Sequence, residues 1–196
     1  MTSAGNHTAA GGDLHTVTTA QIARFVAVLS LVCWLATASG IVLLALRRRV
    51  EGAGRLLASL QPVALWLGFV VAAACTAGSL YFSEVAGFVP CDLCWFQRIC
   101  MYPLTATLLV AAVRRDGAVW RYAMVPAGVG LVIAAYHTQL QAFPDQATFC
   151  PTSVPCTIRY VWEFGFVSLP FMALAGFAAV LTALRIAALP TEGDPA

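Results

Sequence analysis

Cys91, Cys94 and Arg98 stand together in "VPCDLCWFQRICMYPL", from Val89 to Leu104, where a Cys-x-x-Cys pair opens an otherwise apolar run. Two thiols that close into a short ring are the parts needed for thiol–disulfide exchange, in which a thiolate attacks a disulfide sulfur. The run after the pair predicts a helix, and a helix N-terminus favours a thiolate through its unsatisfied N–H groups and its macrodipole. Arg98 follows Cys94 by four residues and Cys91 by seven. With about 3.6 residues per turn, all three fall on one side of the helix. A guanidinium there stabilises a thiolate or donates to a ligand oxygen. The plainer alternative is an arginine that snorkels back to a membrane interface.

A second, unlike pair lies in "CPTSVPC", where Cys150 and Cys156 are six positions apart and flanked by Pro151 and Pro155. This reads as a loop that another protein can reach. His137, near the end of another apolar run, is able to exchange a proton, although a lone histidine there is more often an interfacial side chain. Cys33, Cys75 and Cys100 fall inside apolar runs and read as small buried hydrophobes. Glu84, Asp92, Asp145 and Glu163 read as solvated or interfacial charges; Asp92, between two cysteines, disfavours a thiolate. Tyr81, Phe82, Trp95, Phe96, Trp162 and Phe164 read as an interfacial aromatic belt.

The elements that must hold these residues are membrane helices. Of 196 residues, 60% are hydrophobic and 10% charged, with a mean hydropathy of +0.82, unlike a soluble domain. Apolar runs close to the roughly 20 residues that cross a bilayer occur at Phe25 to Leu46, Pro62 to Phe82, Trp95 to Val113, Tyr122 to Leu140 and Val167 to Leu184. The first is read as an anchor rather than a cleaved signal: no basic residue precedes Arg24, and the run continues through "IVLLAL" to Arg47–Arg49. A polar tail over 1–21, rich in Thr, Gly and Ala, is expected to be disordered.

All 11 basic residues are arginines and the net charge is +2, which sets topology and gives no basis for nucleic-acid binding. Eight arginines fall between spans one and two, between three and four, and after five; only Arg24, Arg98 and Arg159 lie at the other face. By the positive-inside rule the N-terminus and the segments 83–94 and 141–166 are extracytoplasmic and the C-terminus is inside. Cys91, Cys94, Cys150 and Cys156 then share the compartment in which disulfides form and persist.

Three readings compete for them. Structural staples are the usual fate of extracytoplasmic cysteines. A four-cysteine zinc site meets the objection that "CPTSVPC" is longer than the usual second knuckle. Electron transfer from one pair to the other by disulfide exchange is the third. Electrons that reach the short pair need an acceptor, and no haem motif, dinucleotide glycine motif or P-loop is present. A lipid-soluble quinone is the economical one.

The stretches "GSLYFSEVAGFVPCDLCWFQRICMYPL" from Gly78, "YHTQLQAFPDQATFC" from Tyr136 and "VPCTIRYVWEFGFVSLPFMALAGF" from Val154 resemble the DsbB membrane oxidoreductases, most closely their Gram-positive branch, BdbC. The resemblance runs from near Leu65 to near Leu184. It implies an all-α integral membrane protein: a four-helix bundle at 61–188, here preceded by an extra transmembrane helix and cytoplasmic loop at 22–60 and followed by a tail at 189–196. It implies a multi-pass protein of a bacterial cell membrane that reoxidises a thioredoxin-like extracytoplasmic partner of the DsbA or BdbD type. The electrons would pass to menaquinone or ubiquinone. On this analogy Cys150 receives the partner's thiolate with Cys156 as its mate, Cys94 faces the quinone and Cys91 links the pairs. Arg98 and His137 match the family's quinone-side arginine and histidine. The order of the pairs, with the short one first, separates the chain from vitamin K epoxide reductase homologues. The rivals are a non-catalytic metal-binding or disulfide-stapled scaffold, and a reductase that runs the same relay in reverse.

Overall fold

The computed structural model describes residues 9–146 and 154–190, with side chains from Thr18 onward. Its long helices are α1 (Ala9–Leu46), α2 (Glu51–Leu80), α3 (Asp92–Arg114), α4 (Trp120–Ala142) and α5 (Leu169–Ala187), and α2 runs on into a π-helical turn at Tyr81–Val85. Among the described residues these five are long and apolar enough to cross a membrane, so the all-α class and the extra N-terminal helix both hold.

Two boundaries differ from expectation. The backbone is already helical from Ala9, inside the segment 1–21 expected to be disordered. Nucleation is the costly step of helix formation, and a long apolar helix that has paid it extends cheaply into a polar flank. Pro62, expected to open the second span, lies inside α2, which starts at Glu51. Proline is tolerated in membrane helices because neighbouring groups re-satisfy the freed carbonyl.

Successive helices alternate in direction. The Gly68 face of α2 meets Leu108 of α3 and Ala183 of α5, and Gln61 near the start of α2 donates to the Leu189 carbonyl beyond α5. Helix α1 lies parallel to α5: Cys33 reaches the Ala175 carbonyl, Trp34 packs on Phe171 with ring centroids 5.9 Å apart, and Gly40 faces Thr182. The main core is built from Leu65 and Ala72 of α2, Met101, Leu104 and Leu108 of α3, Ala127 and Ala134 of α4, and Phe177 and Val180 of α5. Small residues at the crossings let backbones approach, the usual device where lipid offers no hydrophobic drive. Cys75 fills the space against Gly176, and Cys33, Cys75 and Cys100 are free thiols within the helices, as their apolar setting predicts.

Thr76 and Thr105 meet at 2.9 Å between α2 and α3. The Thr105 hydroxyl donates to the Met101 carbonyl at 3.0 Å, so Thr76 is the donor between helices. Replacing Thr76 by valine is expected to cost about 0.6 kcal/mol, the average worth of such a bond in a membrane, measurable by denaturant titration in mixed micelles.

Candidate functional site: a cysteine and histidine cluster

One end of the bundle gathers the start of α3, the end of α4 and the loop that leads into α5. Cys91 is the N-cap of α3, with extended backbone (φ −77°, ψ 173°), and its carbonyl accepts from the Trp95 N–H at 3.1 Å. Cys94 lies one turn on, and the two sulfurs are 3.2 Å apart as free thiols. Cys91 is buried with Leu93, Leu140 and Cys156, while Cys94 is half-buried beside them. The Cys91 thiol is held well below its ordinary range, first by the hydrogen bond from Cys94 and then by His137, against the opposing effect of burial.

His137 is 1% exposed, and three groups surround its ring. Nε2 lies 3.0 Å from the Cys156 carbonyl and 3.7 Å from the Cys91 sulfur; Nδ1 lies 3.0 Å from the Gln97 amide nitrogen. A carbonyl only accepts, so Nε2 carries the proton. The Gln97 amide then donates to the bare Nδ1. Gln97 and the Cys156 backbone together fix a tautomer that aims an N–H between the loop and the Cys91 sulfur.

Gln141, one turn after His137 on α4, also grips the loop: its Nε2 donates to the Ile158 carbonyl at 2.8 Å, and Arg159 donates to the Gln141 carbonyl. The loop itself is braced. Tyr160 donates to the Val89 carbonyl at 3.2 Å and stacks on Phe88, which stacks on Phe82. Phe82 is therefore core rather than belt, 4% exposed. Glu163 and Val167 exchange both backbone hydrogen bonds at 2.9 Å around a tight turn, and the left-handed φ of +80° at Gly165 is what that turn requires. Helix α1 adds Ala23 and Ala27, buried against Val161, Val167 and Met172, and an ion pair from Arg24 to Glu163 at 3.4 Å.

Arg98 points elsewhere. Its Nε and Nη2 donate to the Ser79 hydroxyl and carbonyl at 3.0 and 3.1 Å, Tyr102 adds a bond to the same hydroxyl, and the guanidinium lies 5.3 Å from the Trp95 ring centroid. Arg98 was expected to face the cysteines, but its guanidinium bonds to α2 and to neither sulfur. Cys156 is disulfide-bonded, and Cys150 lies outside the described residues. A bonded sulfur is not a thiolate ligand, so a four-cysteine zinc site does not describe this arrangement.

The family model for disulfide bond formation protein DsbB matches residues 61–188. The chain belongs to the DsbB family. It is 41% identical over 135 residues to the "Probable disulfide formation protein" of Oceanobacillus iheyensis, covering 67% of this chain and 92% of that one. It is 40% identical over 121 residues to "Disulfide bond formation protein C" of Bacillus subtilis, covering 61% of this chain and 88% of that one. No solved structure matches the chain with significance. As a DsbB family member with five spans it is a multi-pass membrane protein of the disulfide oxidoreductase class.

In this DsbB-family chain the structure brings together Cys91, Cys94, His137 and Cys156, while Arg98 bonds to Ser79 of α2. Three residues were not singled out from the sequence: Gln97, Gln141 and Ser79. Gln97 carried a readable signal, because an amide inside an apolar span must find a partner. Gln141 did too, at four residues from His137 and so on the same helix face. In histidine-labelled protein, nitrogen NMR is expected to find the neutral His137 ring protonated at Nε2. Gln97→Leu is expected to shift the tautomer ratio about fivefold towards Nδ1–H, the worth of one hydrogen bond of about 1 kcal/mol.

Proposed function

We propose that this protein reoxidises a reduced thioredoxin-like partner outside the cytoplasm and delivers the two electrons to a membrane quinone. The observation that carries the reading is that Cys91, its sulfur 3.2 Å from that of Cys94, is packed in one buried cluster with disulfide-bonded Cys156. Two unlike cysteine pairs at one end of a membrane bundle are the parts of a relay.

The steps balance as sulfur exchange. A partner thiolate attacks Cys150, forming a mixed disulfide and releasing the Cys156 thiolate. Cys156 attacks Cys91, which breaks the Cys91–Cys94 bond and leaves the electron pair on the Cys94 sulfur. The second partner thiolate resolves the mixed disulfide, so the partner departs oxidised and Cys150 becomes a thiolate. Cys150 then attacks Cys156, restores the loop disulfide and releases Cys91. The net transfer, once the released Cys91 and Cys94 thiolates are protonated, is two electrons and two protons from the partner to the short pair. Free Cys91 and Cys94 beside a disulfide-bonded Cys156 match the state at the end of this sequence. His137 assists at Cys91, where its Nε2, bonded to the Cys156 carbonyl, lies 3.7 Å from the sulfur that must leave as a thiolate.

The residues fit a quinone on Cys94's side of the pair. Cys94 is half-buried rather than enclosed, and Nη1 of Arg98 makes no hydrogen bond among the described residues, which leaves a cationic donor for a ring oxygen. Both His137 nitrogens are engaged by Gln97, Cys156 and Cys91, so we assign the ring contact to Arg98 and the sulfur to His137. A bound quinone supplies a two-electron, two-proton acceptor. Ser79, Tyr102 and Trp95 hold the guanidinium in place.

The test is direct. Detergent-purified protein, mixed with a reduced thioredoxin-like dithiol and a soluble quinone, should bleach one quinone for each partner disulfide formed. If neither a benzoquinone nor a naphthoquinone is reduced while the partner's thiols persist, the reading fails.

A further inference from the structure

Between the sulfurs and the loop is a small cavity of about 20 Å³, lined in part by Cys91, Cys94, His137, Gln141 and Cys156. That is room for one water-sized guest. Gln141 is 3% exposed. Its amide nitrogen is spent on the Ile158 carbonyl, but its Oε1 is buried with no hydrogen-bond partner among the described residues. An acceptor buried without a donor is costly, and sulfur exchange gives this oxygen no task. The Sγ atoms of Cys91 and Cys94 and one ring nitrogen of His137 lie within 4.8 Å of one another.

We propose that the reduced short pair and His137 form a one-ion site for a thiophilic divalent cation of the zinc type, with a coordinated water donating to Gln141 Oε1. Two thiolates, one imidazole and one water make a standard open tetrahedral set, with metal–sulfur distances of about 2.3 Å and metal–nitrogen distances of about 2.0 Å. Those lengths set the sulfurs about 3.8 Å apart, so the present 3.2 Å opens slightly. Each thiol gives up its proton on ligation. His137 must present a bare Nε2, which moves its proton to Nδ1. Gln97, whose amide donates to Nδ1 in the metal-free site, serves the ligated one by turning its oxygen to the ring, the outer partner that metal-bound histidines usually have. The Cys156 carbonyl loses its donor, so the ion also loosens the hold of α4 on the loop.

A disulfide offers no thiolate, so the site exists only in the reduced state. The ion and the oxidant therefore compete for the same pair, and bound metal holds the pair reduced. The inference rests on the proposed relay only in taking Cys91 and Cys94 to be a reversible couple.

The experiment uses the full chain in detergent, with the short pair either reduced or oxidised. Cadmium is the probe, because its thiolate charge-transfer absorbance counts sulfur ligands; zinc is then measured by competition with a chromophoric chelator. One cadmium bound through two thiolates is expected in the reduced protein, and none at this pair after oxidation or in Cys94→Ala. Affinity should fall about tenfold or more in His137→Gln, and about tenfold in Gln97→Leu and Gln141→Leu, as when supporting partners of metal ligands are removed. Circular dichroism checks that each variant is folded. Equal uptake by reduced and oxidised protein overturns the site, as does unchanged affinity in folded His137→Gln. Quinone reduction without metal uptake overturns the ion site and leaves the relay; stoichiometric uptake without quinone reduction does the reverse.

Discussion

Cys94→Ser is expected to bring quinone-coupled oxidation of the dithiol partner down to the uncatalysed background, a loss of about a hundredfold or more, as for other residues that make or break the reacting bond. The physical reason is the loss of the short ring. Without a second sulfur Cys91 has no disulfide to offer, so the Cys156 thiolate finds nothing to attack. Partner thiolates still reach the loop pair, so at most one partner disulfide should form per protein molecule, leaving the loop pair reduced. Cys100→Ala is the matched control: its thiol is free and packed in the main core on the same helix, and turnover should persist. Full turnover in Cys94→Ser would remove the short pair from the relay.

The second large effect is structural. A Cβ on Gly130 would run into the ring of Phe177, which is fully buried where α4 crosses α5. Gly130→Leu is therefore expected to destabilise the bundle by about 3 kcal/mol, at the upper end of typical overpacking penalties. Gly130→Ala should cost less, about 1–3 kcal/mol. Phe177→Leu frees space at the same contact, so the Gly130→Ala, Phe177→Leu double variant should lose less than the sum of its single changes, a coupling that a double-mutant cycle in mixed micelles reads directly. Strict additivity would mean that the ring does not occupy the glycine's space.

Much of this architecture could be read from the chain because membrane helices advertise themselves through length and apolarity. The Cys-x-x-Cys motif advertised itself too, since two sulfurs three residues apart at a helix start are local chemistry. What local spacing cannot encode is which partner a long polar side chain selects. Arg98 illustrates this: its place on α3 followed from helical periodicity, but its guanidinium turned to Ser79, because a carbonyl and a hydroxyl from α2 lie within its reach. His137 was visible as a candidate, whereas its tautomer depends on Gln97 and on a carbonyl 19 residues along the chain. The brace that α1 gives to the Cys156 loop was equally hidden. Arg24 and Glu163 are ordinary charges until tertiary packing brings them together.

Helix α1 lies ahead of the family-matched region and runs parallel to α5. An added crossing changes the parity of the chain. Four crossings return a polypeptide to the side where it started; five leave its two ends in different compartments. A reporter fused ahead of α1 therefore samples the water that bathes the cysteines, and one fused after α5 samples the opposite side. The two reporters should give opposite answers in the same cell, and their pattern assigns the cysteine end to one compartment.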